Sequence, residues 1–325
     1  MILAFLFCTC AALPTNPAPW DSSPSAIRQL FPDDEYIAQR GQGATRAAAE
    51  AQAASELARF LTSQISVSRG YQIVTTNAGE NISTHDEAYI NSQINLFGIR
   101  YADDAYYRKD LREWRTVAWI ERAEAWAVYG PGFRRQADSF LALFNAAEDE
   151  KDTFKKALLF MAADSFSRTS AFEDANLFGQ ILDPGRMNTE FGLVRTNLAA
   201  LPQKLDSAKR SASVYIDCPL DFESLVSNAF AASFSALGFP VASTPNNAAA
   251  VCRITVDEGM QQRDLGIFYN PSLRAVITGL SGTIFSYTAE AERASAVTPD
   301  VAKRRAYQSL ADEVNKTFSL DASIF

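Results

Sequence analysis

The chain has 325 residues, 47% of them apolar, with a formal net charge of -8, a pI near 4.9 and a mean hydropathy of -0.11. This length accommodates two ordinary globular domains with their connections. The charge excludes a nucleic acid as the expected partner, because affinity for a phosphate backbone comes from clustered Lys and Arg, and the basic residues here are scattered pairs and triplets.

The first thirteen residues, MILAFLFCTCAAL, form an uncharged and almost wholly apolar segment. They are too few to span a bilayer, which needs about 20 apolar residues. They match the apolar core of a secretory signal, although the basic residues that usually precede such a core are missing. Cys10 and, as a second choice, Cys8 lie where a bacterial lipoprotein signal places its lipidated cysteine. We predict a signal and lipoprotein anchor over 1–13, with simple cleavage near Ala12 or an accidental apolar start as alternatives.

Residues 14–30 are predicted to be a flexible tether. The segment PTNPAPWDSSPS, from Pro14 to Ser25, contains four prolines and three serines in twelve residues. Such a composition buries too little apolar surface to fold. An apolar end followed by a Pro/Ser segment is typical of a protein held at a lipid membrane, and a multiply acylated cysteine gives stable anchoring where one acyl chain does not.

Residues 31–130 are predicted to form an α+β domain. A strand over Glu35–Gly43 precedes a helix that Thr45 caps and that ends near Leu61, with a face of small residues against a sheet. The β-branched, alternating segment Ile65–Thr76 predicts a long strand, and His85–Ile94 a short helix. Two further strands are expected in LFGIRYADDAYYR and EWRTVAWIERAEAW.

Helical periodicity over 131–210 predicts a helical spacer, and residues 211–325 predict a second unit of order βαβββα. That unit begins with a strand over Ser213–Cys218 and a helix over Leu220–Leu237 that Gly238 ends. It closes with a helix over Asp300–Phe318. The predicted fold class is therefore α+β or α/β, with two sheet-and-helix domains joined by a helical spacer.

The segment Gly41-Gln42-Gly43, between a strand and a helix, raises the question of a phosphate-binding loop. The lysine of a Walker loop is missing, and Arg46 occupies the position of the third glycine of a dinucleotide fingerprint. We therefore expect the glycines to turn the chain, and we predict no cofactor.

Candidate catalytic residues are few. His85 is the single histidine, next to Asp86 and Glu87, and no Gly-x-Ser-x-Gly motif is present. The acids at the start of a helix are explained by the helix dipole, so we predict no catalytic residue and no metal site. A hydrolase that uses Asp33 or Glu35 is a third hypothesis. Paired carboxylates must face each other across a cleft for this reaction, whereas neighbours in sequence usually point apart.

Two further sets of residues are candidates for structural or binding roles. Cys218 and Cys252 could form a disulfide in an exported protein if their strands are antiparallel neighbours, and two buried free thiols are the alternative. Aromatic residues near the end of the first domain could form a surface that binds a sugar or a partner, with packing in the core as the commoner role. These residues are Trp114, Trp119, Trp126, Tyr106 and Tyr107.

Residues 31–129 resemble the Lpp-twenty family of bacterial surface lipoproteins. The likeness is carried by FPDDEYIAQRGQGAT with AAAEAQAASELARFLTSQISV, and by WRTVAWIERAEA at the end of the domain. The family closes this unit with an Asp-Arg or similar pair, where this chain has Glu121-Arg122. The resemblance covers under a third of the chain and implies an exported, membrane-anchored, non-enzymatic protein. Flagellar assembly protein T begins with a similar domain.

Residues 211–325 are more weakly similar to the N-terminal domain of TolB and to the periplasmic domain of the curli secretion lipoprotein. ASVYIDCPLDFESLVSNAFAASFSALGF and TPDVAKRRAYQSLADEV carry this likeness. Such domains assemble on partners in the bacterial envelope. The resemblance therefore implies a location and a class of protein, and it supplies no ligand residues.

The leading hypothesis is an envelope lipoprotein, anchored by lipid at the outer membrane facing the periplasm, that acts as an assembly or structural adaptor. Its partners would be the membrane and unidentified envelope proteins, with a homo-oligomer as a further option. The alternative is a periplasmic module that binds glycan or peptidoglycan. A pocket of converging aromatic and acidic residues would favour the alternative, and a filled core with an exposed apolar or sheet-edge surface would favour the adaptor.

Overall fold

The computed structural model describes residues 13–23, 25–76, 99–263 and 266–320. This part of the chain contains both helices and sheets, which confirms the predicted mixture of α and β structure. Cys8, Cys10 and His85 lie outside the described residues, as does the helix predicted to start at His85.

Contacts along the chain define two compact units, and each unit is made of two segments. The first unit comprises Met1–Gln136 and Glu173–Phe191, and the second comprises Ala137–Phe172 and Gly192–Phe325. The helices predicted as a spacer over 131–210 are thus divided between the two units. A separate spacer is therefore not found, because these helices supply apolar faces to both cores.

The first unit is built on an antiparallel sheet in which β4 (Glu113–Glu121) is the central strand. β1 (Tyr36–Gly43) pairs along one edge of β4, and β2 (Arg100–Tyr101) and β3 (Tyr106–Arg108) pair along the other. The helices that belong to this unit, wholly or in part, are α1 (Ala26–Leu30), α2 (Arg46–Thr76), α3 (Arg122–Asp149), α5 (Ser170–Leu182) and α6 (Pro184–Glu190).

Glycines of β1 allow α2 to pack directly on the sheet. A Cβ atom at Gly41 would lie 2.2 Å from the Ala49 carbonyl oxygen and 2.4 Å from the Ala53 nitrogen, and one at Gly43 would lie 2.6 Å from the Ala49 nitrogen. Both glycines lie inside β1, so the prediction that they turn the chain is wrong. They are required because a side chain would separate the strand from the helix.

The start of α2 follows the sequence prediction, since the Thr45 hydroxyl accepts a hydrogen bond from the Ala48 N–H at 3.1 Å. The sequence predicts a small face that includes Ala47 and Ala51, and this prediction is partly wrong because both residues are exposed. The side chains that α2 buries fully against the unit follow a spacing of four residues: Ala49, Ala53, Leu57 and Leu61.

The strand predicted over Ile65–Thr76 is also wrong, because α2 continues without a break to Thr76. A run of β-branched residues favours a strand only weakly. A helix that is already formed extends at little cost. Local propensity therefore did not determine the secondary structure of residues 65–76.

The predicted tether at 14–30 is packed on the sheet, on the face opposite α2. The Trp20 side chain is 2% exposed and lies with Tyr106 and Val117 in a buried cluster, with Ile27 and Phe31 packed against it. The indole N–H of Trp20 donates to Asp104 at 2.7 Å, and the Arg40 guanidinium donates to the Trp20 carbonyl oxygen at 2.7 Å. The tether prediction is wrong because one tryptophan buries enough surface to order a segment rich in Pro and Ser.

The second unit contains a four-stranded sheet in the order β10-β9-β6-β5, in which β5 and β6 are parallel and the other pairs antiparallel. Its strands are β5 (Val214–Asp217), β6 (Ala250–Asp257), β9 (Ser272–Gly279) and β10 (Gly282–Glu290). The helices of this unit, besides parts of α3 and α5, are α4 (Thr153–Ser167), α7 (Gly192–Ser211), α8 (Leu225–Ala236) and α9 (Pro299–Thr317). β5, α8, β6, β9, β10 and α9 follow the predicted order βαβββα.

A second, three-stranded sheet in this unit was not predicted. It contains β7 (Gln261–Arg263), β8 (Gly266–Tyr269) and β11 (Ala294–Ala296), in the order β11-β8-β7. The segment FPVAS, which the sequence also predicts to be a short strand, forms only a single bridge, between Val214 and Val241. Strands of three or four residues are too short to show a reliable alternation of apolar and polar positions.

The helix predicted over Leu220–Leu237 is α8, which begins five residues later than predicted, at Leu225, and ends near the predicted glycine. Gly238 has a φ of 88°, in the left-handed region that suits the end of a helix, and the Phe239 N–H donates to the Phe234 carbonyl oxygen at 2.9 Å. The sequence also predicts five inward side chains for the closing helix, and all five are buried, in α9 or directly after it: Tyr307, Leu310, Ala311, Val314 and Phe318.

Candidate functional site

One edge of β1 is open among the described residues, since its other edge pairs with β4. In an antiparallel pair, alternate residues direct their N–H and C=O groups to the partner strand, and the residues between them direct these groups away. The Gln42 N–H donates to the Gln52 side-chain oxygen at 2.7 Å, and the Tyr36 N–H donates to the Pro32 carbonyl oxygen at 2.8 Å. The even-numbered residues of β1 therefore face the open edge.

Between these two positions, Ala38 and Arg40 direct their main-chain N–H and C=O groups to the open edge. No described residue forms a main-chain hydrogen bond with these four groups on that side. Unpaired groups on a strand edge are a template on which another strand can pair. The edge is short and fixed at both ends by the bonds of Tyr36 and Gln42.

The open edge lies in a groove of about 890 Å³, which we call the β1 slot. Its floor is β1 from Tyr36 to Arg40. One wall comes from α1 and the residues after it, and the other comes from α2. The wall residues that the following argument uses are Ile27, Arg28, Phe31, Glu56 and Phe60.

Charges of both signs surround the slot. Arg28 and Asp33 form an exposed ion pair at 3.6 Å. Arg122, at one end, donates to the main-chain oxygens of Asp33 and Leu182, each at 2.8 Å. Burial lowers the pKa of Arg122, and Asp183 and Asp33 oppose that shift. This mixture of charges suits a polar chain with both signs better than a ligand with one strong charge.

The five aromatic residues predicted as a binding surface do not form one surface. Trp126 and Tyr106 are 2% and 3% exposed, so the prediction is wrong for these two core side chains. Trp114 and Trp119 lie on opposite faces of β4, because residues five apart on a strand point to opposite sides. Tyr107 packs with Trp114, at 6.0 Å between ring centroids.

Trp119 is the member of this set that lies beside the slot. Its ring contacts Tyr36 at 5.4 Å and Phe31 at 5.8 Å between centroids. Sequence analysis missed the slot aromatics Phe31, Tyr36 and Phe60 as a group. They come from three separate elements, so no spacing along the chain could reveal that they converge.

The carboxylates proposed for hydrolysis are both exposed, and Asp33 lines the slot whereas Glu35 does not. Among the described residues, no group of three or more His, Cys, Asp or Glu is placed to hold a metal ion. In the same part of the chain, no helix has the length and apolar character needed to cross a membrane.

Cys218 and Cys252 are free thiols in the structure, the first half-buried and the second buried. The strands near them are parallel, with Ile216 opposite Cys252, so the antiparallel arrangement on which the disulfide prediction depended is wrong. Burial raises the pKa of each thiol to about 12, and for Cys218 the nearby Asp221 and Asp217 add to the shift.

Comparisons with known proteins add little. No family model matches the chain, and no curated protein matches it. A secreted protein from Helicobacter pylori aligns with 87% of this chain and 99% of its own length, at 10% identity and a TM-score of 0.32. A neuraminyllactose-binding hemagglutinin homologue from the same organism aligns with 36% of this chain and 87% of its own, at 15% identity and a TM-score of 0.23. Scores this low carry no argument on fold or function.

Proposed function

We propose that this chain is an exported lipoprotein of the bacterial cell envelope, tethered through an acylated Cys10 or Cys8, that acts as a non-enzymatic adaptor. The observation that carries the adaptor role is the β1 slot, because an open strand edge between two walls suits an extended segment of another protein. The apolar run MILAFLFCTCAAL supports the tether, because it matches the core of an export signal.

In this proposal the partner adds a strand to β1. Its main chain would bond to the outward N–H and C=O groups of Ala38 and Arg40. Because side chains alternate along a strand, successive partner residues would contact Phe31 on one wall and Phe60 on the other. The main-chain bonds would supply affinity, and the two walls would select apolar side chains at the positions that contact Phe31 and Phe60, within a segment that is otherwise polar.

A photoreactive amino acid at Phe60 tests the slot in intact envelopes, with the same group at the exposed residue Val128 as a control. We expect a protein crosslink from position 60 that the control position does not give. Ala38→Pro should abolish it, because proline removes an outward N–H but no bond to β4, and proline is tolerated at strand edges. Ala38→Ser keeps the N–H and should keep the crosslink.

If Ala38→Pro does not fold, as judged by circular dichroism, Phe31→Ala tests the slot instead. This variant removes an aromatic side chain from one wall and should reduce the crosslink. An equal crosslink in the wild type and in both variants would contradict the proposal, as would the absence of any protein crosslink from position 60. A crosslink to a second copy of the chain would identify the partner as the chain itself.

A glycan is the second candidate ligand, because three aromatic side chains converge in the slot with two acids. The aromatic residues are Phe31, Tyr36 and Phe60, and the acids are Asp33 and Glu56. Rings and carboxylates in one groove suit a sugar chain. Cosedimentation of the protein with peptidoglycan separates the two candidates. The glycan would be favoured if the protein sediments with peptidoglycan equally well with and without Ala38→Pro and gives no protein crosslink.

The membrane tether has its own test. Replacing both Cys8 and Cys10 by serine should move the protein from the membrane fraction to the soluble fraction, because the acyl chains would be lost. Leu13→Ser, which leaves both cysteines in place, is the control. Unchanged membrane retention of the double variant would count against lipidation.

A further inference from the structure

The turn between β3 and β4 lies beside the point where the described chain begins. The Tyr107 N–H donates to the Pro14 carbonyl oxygen at 2.7 Å, which holds residue 14 against β3. Cys10 is four residues earlier, and four residues of extended chain reach at most about 14 Å. A lipid on Cys10 would therefore hold this end of the first unit within a short distance of the membrane surface.

The turn has the composition of a surface that binds anionic headgroups. Together with Arg108, the last residue of β3, it comprises residues 108–112, and Leu111 is 51% exposed between charged neighbours. The Asp110 carboxylate is bound by the Arg108 guanidinium at 3.0–3.1 Å. Lys109 and Arg112 form no ion pair with any residue that the structure describes. Two cations thus remain available, one on each side of an exposed leucine.

Arg112 adopts a left-handed backbone conformation, with a φ of 54°. A residue other than glycine reaches this region only at an energetic cost, which glycine would avoid. The arginine therefore contributes a charge at a position where the backbone alone favours glycine.

From this geometry we propose that the turn at 108–112, here called the basic turn, docks on anionic phospholipid headgroups. This inference rests on the membrane tether proposed above. Leu111 enters the headgroup layer, and Lys109 and Arg112 contact lipid phosphates on either side of it. The chain as a whole carries -8, so attraction to an anionic surface must come from a local patch such as this one.

Docking at the basic turn would also fix how the first unit faces the membrane. Electrostatic attraction reaches about 10 Å in salt, and each cation near an anionic surface strengthens attachment about fivefold. β4 runs from this turn to Glu121, and the chain continues from there into α3. The α3 end of β4 would therefore face away from the lipid.

Tryptophan quenching by brominated lipid tests this orientation. Leu111→Trp and, as the matched control, Val128→Trp replace exposed apolar residues at the turn and in α3. The full chain is reconstituted in vesicles of brominated phosphatidylcholine with or without phosphatidylglycerol. The quenching of the parent chain is subtracted, and the fraction that sediments with the vesicles is recorded in parallel.

We expect the indole at position 111 to be quenched several-fold more than the one at position 128 on vesicles with phosphatidylglycerol. The quenching at positions 111 and 128 should become equal in a double variant with Lys109→Glu and Arg112→Glu. It should stay different in a control with Arg135→Glu and Lys151→Glu, which changes the net charge by the same amount. Equal quenching at positions 111 and 128 in a chain that sediments would overturn docking and leave the tether intact. A chain that does not sediment would overturn the tether and the docking with it.

Discussion

Single residues decide how closely the elements of this fold approach each other. At Gly41, an added Cβ would meet two main-chain atoms of α2 within 2.4 Å. Main-chain atoms cannot rotate away as the end of a flexible side chain does, so the strand and the helix would have to separate. The glycine is therefore a packing requirement of the first unit.

Gly41→Ala should lower the free energy of unfolding of the first unit by about 1–3 kcal/mol, because it overpacks a filled contact. All four tryptophans, at positions 20, 114, 119 and 126, lie in the Met1–Gln136 segment, so their fluorescence in urea reports this unit. Gly132→Ala, in the same unit, is the control, since its added Cβ would meet only the end of the Arg135 side chain, at 3.8 Å. A change below about 0.5 kcal/mol for Gly41→Ala, the size typical of surface sites, would show that the contact is not tight.

Cys218 and Cys252 give a second test, which uses the Cys8→Ser/Cys10→Ser variant because these two are then its remaining cysteines. Burial raises the pKa of Cys218 and Cys252 to about 12, so very little reactive thiolate exists in the folded protein at neutral pH. A thiol reagent should label both slowly in the native chain and quickly after unfolding without a reductant. Because the shift favours the protonated thiol, native labelling should speed up only as the pH approaches that value.

The thiol count also decides between the free and the paired state. Two thiols in the unfolded, unreduced chain would match the structure. No thiols under the same conditions would show that the two cysteines form the disulfide predicted from sequence.

At the scale of elements, the segment before β1 is a structural layer of the first unit. It covers the face of the sheet opposite α2, through Trp20 and through the main-chain bond between Pro14 and Tyr107. A membrane anchor at the N-terminus would therefore connect to a packed element after a few residues. In the proposed arrangement, this short connection would place the basic turn near the lipid.

Trp20→Ala should destabilise the first unit by about 3–5 kcal/mol, because it removes a buried indole and leaves Asp104 without its donor. The remaining tryptophans report the urea transition. Leu30→Ala, at a side chain 49% exposed, should change the free energy of unfolding by under about 0.5 kcal/mol. Equal midpoints for Trp20→Ala and the wild type would mean that the segment is a loose tether after all.

The sequence predicts elements well where one local signal dominates. β1 is followed by the Thr45 cap of α2, the hairpin of β9 and β10 turns at Gly282, and α9 is marked by its apolar stripe. The extent of α2 and the packing of Trp20 could not be predicted in this way. In the first case a helix that is already formed extends at little cost. In the second, contacts of Trp20 with residues distant in sequence outweigh a disorder-prone composition.

The candidate site was predictable only in part. Sequence analysis identified β1 as a strand and Asp33 as a residue of interest. It could not identify β1 as an edge strand, because strand order follows from pairing and not from the pattern of one strand. Phe31 and Phe60 looked like ordinary core residues until the structure placed them on opposite walls of one groove.

The first unit carries the proposed lipid tether, the basic turn and the edge of β1 that no described strand covers. The second unit has a filled aromatic core around Phe230, Phe234 and Phe318. The role that we propose is therefore binding, with the first unit as the part that meets both the membrane and a protein partner.

Amide hydrogen exchange along β1 tests the central claim most directly, because it reports each main-chain N–H separately. In the free chain, the amides of Ala38 and Arg40 should exchange fast, while those of Ile37 and Gln39, bonded to β4, should be protected. In envelope extracts that contain the partner, Ala38 and Arg40 should become protected as well. Protection of all four amides in the free chain would show that the edge of β1 is already covered, and would contradict the account.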